Sequence, residues 1–246
     1  MKKFIKFLSG YGLAILTMSI FVGCSENVES VDVGPSYLSI SSEKSLSEFT
    51  LEEWDILNEA RSRIDVTINS DKLMVITQQL GSEVNISEHL FQKIKLMIEN
   101  GNKIISEACQ TTTRMSGDDC VANCIVELGR RLGGTLNAPL VRQWVHNQCK
   151  GIGVPEGRVC EMADRWLVAK NISIPISTAA WADGPIMAVI LGAHAVVVDD
   201  LQGQEIRIFD PALVSTDPVS VHDGFAKIPA LYVSSAVQAT GIRGGN

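Results

Sequence analysis

PIMAVILGAHAVVVDDLQGQEIRIFDP, residues Pro185 to Pro211, is three short apolar segments punctuated by two turns. Pro185 to Leu191 is an unbroken apolar run. AHAVVVDD follows after one glycine, Gln202-Gly203-Gln204 marks a turn, and EIRIFDP alternates polar and apolar residues with period two. Segments of this length, rich in Val and Ile and bounded by glycine, read as strands joined by hairpins. Upstream the period is helical. Cys120 to Leu132 carries Val121, Cys124, Ile125, Leu128 and Leu132 at helical spacing and stops at Gly133-Gly134. Asn137 to Gln148 and Pro155 to Lys170 read as two further helices. Helices first and an antiparallel sheet second is the order of an α+β domain.

Further towards the N-terminus, TLEEWDILNEARSRI opens with Thr50 and Glu53 at the spacing of a capping box and continues with Trp54, Leu57 and Ile64. SEHLFQKIKLMIENG puts Leu90, Phe91, Ile94 and Ile98 on one face, with Gly101 where a C-terminal cap would sit. Residues 46–108 are therefore expected to form a helical N-terminal region, and no chemistry is legible in them. His89 reads as a surface residue of its helix.

The 246 residues are 46% apolar with a net charge of -7, a globular composition without internal repeats. No basic cluster is present to neutralise phosphates, so nucleic acid is not an expected partner.

Two cysteines stand one helical turn apart in GDDCVANC, Gly117 to Cys124. Cys120 falls in the first turn of its helix, where the dipole and the unpaired N–H groups favour a thiolate. Cys124 lies one turn deeper on the apolar face and reads as structural. A thiol nucleophile needs a base, and the base needs an orienting group. Of the four histidines only His194 begins a strongly apolar strand. An imidazole there has a polar task, either a core hydrogen bond or base catalysis. Asp210 ends the following strand, so a hairpin brings it beside His194, where it is expected to accept the Nδ1 proton.

DDCVANCIVELGRRLGG, GAHAVVVDD and EIRIFDPA together resemble a papain-fold cysteine peptidase, over Cys109 to Phe225. In papain and the cathepsins the histidine follows the cysteine by about 130 to 150 residues. Here the interval is 74 (194 minus 120). That spacing is closer to the C39-like branch, whose members remove leader peptides at double-glycine sites. The resemblance implies Cys120 as nucleophile, His194 as base and Asp210 as orienter, with a peptide or protein substrate and neither metal nor organic cofactor. The family's oxyanion-donating glutamine stands about six residues before the nucleophile. This chain has Arg114 there, and its nearest upstream glutamine is Gln110, so these two are the oxyanion candidates. Two readings of different class follow, a thiol hydrolase and an inactive papain-like domain that binds a peptide or protein.

One pairing of the other cysteines, among three possible, joins Cys149 to Cys160 and Cys109 to Cys124 and leaves Cys120 as a thiol. A zinc site on Cys120, Cys124 and His146 is a further alternative.

The chain begins MKKFIKFLSGYGLAILTMSIFVGC, a basic start followed by a short apolar run. This is the pattern of a secretory signal. Phe21 to Cys24 resembles the lipobox of bacterial lipoproteins. The resemblance implies a signal peptide over 1–23, lipidation at Cys24, a tether over 24–45 and a membrane partner through the lipid anchor. The mature chain would then stand at the bacterial cell envelope, on the outer membrane, with a papain-like domain over 109–246.

Overall fold

The computed structural model describes residues 36–40, 44–110, 119–150, 153–214 and 223–243. The signal segment, Cys24, the tether up to residue 35 and Arg114 lie outside them.

α1 (Leu51–Ser62) starts at the expected capping box. Glu53 N–H donates to Thr50 Oγ1 at 3.3 Å, and Thr50 N–H donates to the Glu53 carboxylate at 2.8 Å. A small hairpin of β1 (Val66–Ile68) and β2 (Met74–Ile76), absent from the sequence reading, leads to α2 (Glu88–Gln110). α2 runs through Gly101 rather than ending there. A Cβ at Gly101 would lie 1.8 Å from the carbonyl oxygen of Lys227. The glycine marks where helix backbone meets strand backbone, not a cap.

α3 (Asp119–Arg131) closes on the expected glycines. Gly133 has φ +80, its N–H donates to Arg130 O, and Gly134 N–H donates to Gly129 O, both at 3.0 Å. This is a Schellman stop. α4 (Ala138–Cys149) is capped by Asn137, whose Oδ1 accepts from Leu140 N–H. The helix expected over 155–170 survives only as α5 (Val159–Asp164), preceded by a 3-10 turn at Glu156–Arg158. From Leu167 the chain is β3 (Leu167–Ile172). The Asp164 carboxylate accepts from Ala169 N–H at 3.2 Å and binds Arg243 at 2.6 Å, which ends the helix and ties the strand down.

α6 (Thr178–Asp183), β4 (Ile186–Ile190), β5 (His194–Gln202), β6 (Glu205–Val214), β7 (Asp223–Pro229) and β8 (Val233–Ile242) complete the described chain. The six long strands form one antiparallel sheet in the order β3-β8-β4-β5-β6-β7.

Both faces of this sheet are covered, which explains the unbroken apolar runs of β4 and β5. Ile186, Ala188, Ile190, Val196 and Val198 pack into a core that also holds Leu57, Leu90, Phe91, Ile94, Met97 and Ile105. Met187, Val189, Ala195 and Val197 pack with Val121, Cys124, Ile125 and Leu128 of α3, and with Val141 and Val145 of α4. Residues 46–108 thus share a core with the sheet, and Ser36 onward forms one compact unit. Among the described residues no helix is long and apolar enough to cross a membrane.

Candidate active site

Three elements converge on one buried point. The α3 N-terminus carries Cys120, the start of β5 carries His194, and the far part of β6 carries Asp210. Their exposures are 6%, 7% and 2%. The β5–β6 hairpin pairs Val197 with Phe209 and Val198 with Ile208, so antiparallel register carries His194 towards the end of β6 where Asp210 stands. Gly192, at φ +71 in the β4–β5 turn, reverses the chain just before the histidine.

His194 Nε2 and Asp210 Oδ2 are 2.7 Å apart. The other carboxylate oxygen accepts from Ala212 N–H at 2.8 Å, which fixes the carboxylate plane. Asp210 therefore engages Nε2, not the Nδ1 expected from the sequence. The side chain of Cys120 acts on the same imidazole. With Nε2 committed to Asp210, Nδ1 is the ring nitrogen left for the thiol. Nδ1 is buried and has no hydrogen-bond partner among the described residues, so Cys120 acts on the ring by proximity rather than through a formed bond.

Burial disfavours a charged His194, but the hydrogen bond to Asp210, the nearby Cys120 side chain and the charges of both outweigh it. The imidazole is raised from 6.5 to about 10. Cys124 goes the other way. Burial, reinforced by the charges of Cys120, Asp210 and Glu127, pushes its thiol well above the ordinary range. Cys124 is fully buried in the core, as its place on the apolar face of α3 indicated.

None of the five described cysteines forms a disulfide. Cys124 is fully buried whereas Cys109 is exposed on α2. Cys149 is buried at the end of α4, and Cys160 is half-buried on α5. The expected pairings are accordingly absent. Among the described residues no group of three His, Cys, Asp or Glu is disposed to hold a metal. His146 is exposed on α4, and the zinc alternative has no site there.

Gln110 ends α2, exposed, with its Nε2 3.5 Å from Ser106 Oγ. A cavity of about 520 Å³ between the β1–β2 hairpin and the β7–β8 connection is lined by none of Cys120, His194 and Asp210.

Sequence reasoning missed the ionic groups behind the three residues. Arg130 and Arg131 both hold the buried Glu127, and Arg131 and Arg207 share Asp199. Next to them lies Lys227, wholly buried, donating to Gln202 Oε1. Burial lowers Lys227 to about 7, with Arg61 and Arg207 adding to the effect against Glu205 and Asp200.

His194 and Lys227 make opposite contributions to stability over one pH window. His194 titrates at about 10 folded and near 6.5 unfolded, so its contribution is full below 6.5 and is lost as pH rises to 10. Lys227 titrates at about 7 folded and near 10.5 unfolded, so its penalty is full below 7 and is relieved as pH rises to 10.5. Thermal melting followed between about pH 7 and 10 should rise for His194→Ala, fall for Lys227→Met, and stay flatter than either for wild type. Parallel profiles for wild type and His194→Ala would remove the imidazole from this balance.

No protein-family model matches the chain, and no curated protein matches it.

Proposed function

We propose that this chain is a papain-like, C39-like thiol hydrolase acting on peptide or amide bonds, lipid-anchored through Cys24 at the bacterial envelope. One observation carries the reading: a single buried imidazole joins Asp210 at 2.7 Å on one nitrogen and lies within reach of Cys120, the three residues coming from separate elements.

In this reading Nδ1 takes the Cys120 proton and the sulfur attacks the scissile carbonyl carbon. The oxyanion forms beside the α3 N-terminus, where the positive end of the helix dipole favours negative charge. As the intermediate collapses, the C–N bond breaks and the amine leaves with the proton from Nδ1. Water, deprotonated by the same nitrogen, then hydrolyses the thioester and restores the thiol. Asp210 keeps Nε2–H oriented and stabilises the imidazolium throughout. Gln110 or Arg114 would add a side-chain donor to the oxyanion.

The second reading, an inactive domain that binds a peptide or protein, is favoured by the exposed Gln110 with its amide beside Ser106. Iodoacetamide labelling, with mass spectrometry to locate the adduct, separates the two. In wild type Cys120 is expected to label at about pH 6 nearly as fast as at about pH 8, and His194→Ala should abolish the acidic labelling. Labelling that rises only at alkaline pH and ignores His194→Ala would reject the hydrolase and leave the binding domain.

A further inference from the structure

Cys120 belongs to a helix, whereas His194 and Asp210 belong to a hairpin. Proton transfer between them depends on how helix and hairpin are set against each other. Their shared core of Val121, Cys124, Ile125 and Leu128 against Ala195 and Val197 is apolar. Apolar packing is non-directional and does not by itself fix the position of a helix along its axis.

Arg131, in the last turn of α3, supplies directional contacts. Its Nε donates to Glu127 Oε1 at 2.9 Å, within the helix. Nη1 donates to the Val198 carbonyl at 3.2 Å and Nη2 to Asp199 Oδ1 at 3.1 Å, both on β5. The guanidinium carbon stands 5.9 Å from the ring centre of Phe209, the residue before Asp210 on β6. One side chain therefore engages both strands of the hairpin, close in sequence to His194 and to Asp210. Asp199 is held in turn by Arg207 Nε at 2.6 Å, and Arg207 stacks 3.7 Å from the Trp54 ring centre on α1. Side-chain exposures of 19% for Arg131, 9% for Glu127 and 16% for Asp199 leave these pairs little screened.

We infer that Arg131 is a positioning residue that sets the Cys120 helix against the His194–Asp210 hairpin, with Asp199 as its anchor. The inference rests on the thiol-hydrolase reading. A helix is a stiff rod, so a change of tilt at Arg131 is delivered to Cys120 at the other end. Misplacement of reacting groups by about 1 Å costs on the order of a hundredfold in rate.

The test compares wild type, His194→Ala and Arg131→Met, using iodoacetamide as probe, with circular dichroism to establish folding. Arg131→Met is expected to fold, to label Cys120 about ten- to a hundredfold more slowly than wild type at about pH 6, and to label normally at alkaline pH, where solvent removes the thiol proton. A stabilising ion pair without a positioning role would change the melting temperature and leave this pH profile unmoved. If Arg131→Met does not fold, Arg131→Lys replaces it, because an ammonium keeps the charge but not the fork that spans these acceptors. The same acidic loss is expected from it. A wild-type profile in the folded variant, with His194→Ala still defective, overturns the positioning role alone. Identical profiles in wild type and His194→Ala overturn the hydrolase reading, and the inference with it.

Discussion

If the chain is the thiol hydrolase proposed, Cys120→Ala is expected to lower peptide hydrolysis by about five to six orders of magnitude while leaving a folded protein. Cys120 is small and only 6% exposed, so losing its sulfur leaves a minor void, worth about 1 kcal/mol or less of stability. His194→Ala should cost a similar factor, and the double variant should be no worse, because in the proposed mechanism nucleophile and base act as one unit. Asp210→Asn is expected to fall between, by about two to four orders of magnitude. An amide at position 210 still offers an oxygen to Nε2–H but removes the negative charge that helps hold the imidazole near 10. Its pH–rate profile should therefore change as well as its maximum. The assay is cleavage of a mixed library of fluorogenic peptides at matched protein concentration, with melting curves for each variant. Turnover that survives Cys120→Ala would remove the thiol from the chemistry.

His194 and Asp210 lie sixteen apart around one tight turn, so hairpin arithmetic alone brings them together. Cys120 was legible because a helix start is a local pattern. The ring nitrogen that meets Asp210 was not, since it depends on the side from which α3 approaches the imidazole, and that is tertiary. The same divide explains β3. LVAKNI has no strong strand signature of its own and becomes a strand by pairing with β8, whose residues lie some seventy positions later. Tertiary pairing here overrides a helical local reading. Arg131, Asp199, Arg207 and Lys227 were illegible for a related reason. Charged residues in a sequence read as solvated, and nothing local marks the ones that a covering helix will bury.

Gly101 is where a purely local rule predicts the wrong sign. In an exposed helix Gly→Ala stabilises by about 1 kcal/mol. At Gly101 the added methyl would sit 1.8 Å from Lys227 O and 2.9 Å from its carbonyl carbon, both of them backbone atoms of β7. Neither can rotate away, so helix and strand must separate by an ångström or more. The adjacent Asn100 side chain donates to Phe225 O at 2.9 Å, and that bond opens with them. Phe225 packs edge-on against Trp54 and Phe209, so the disturbance reaches the residue before Asp210. Gly101→Ala is accordingly expected to destabilise by about 3 kcal/mol or more, at the upper end of overpacking effects. Against a total stability of about 5–15 kcal/mol this is a large fraction. Gly157→Ala is the control, since nothing lies within 4 Å of a Cβ there. That substitution should be neutral or stabilising by up to about 1 kcal/mol. Urea denaturation measures both. A Gly101→Ala protein as stable as wild type would mean that α2 is not seated on β7, and residues 46–108 would then be separable from the sheet. The expected loss would instead make α2 part of the folding unit that holds Cys120, His194 and Asp210 together, so that removing it unfolds the site rather than uncovering it.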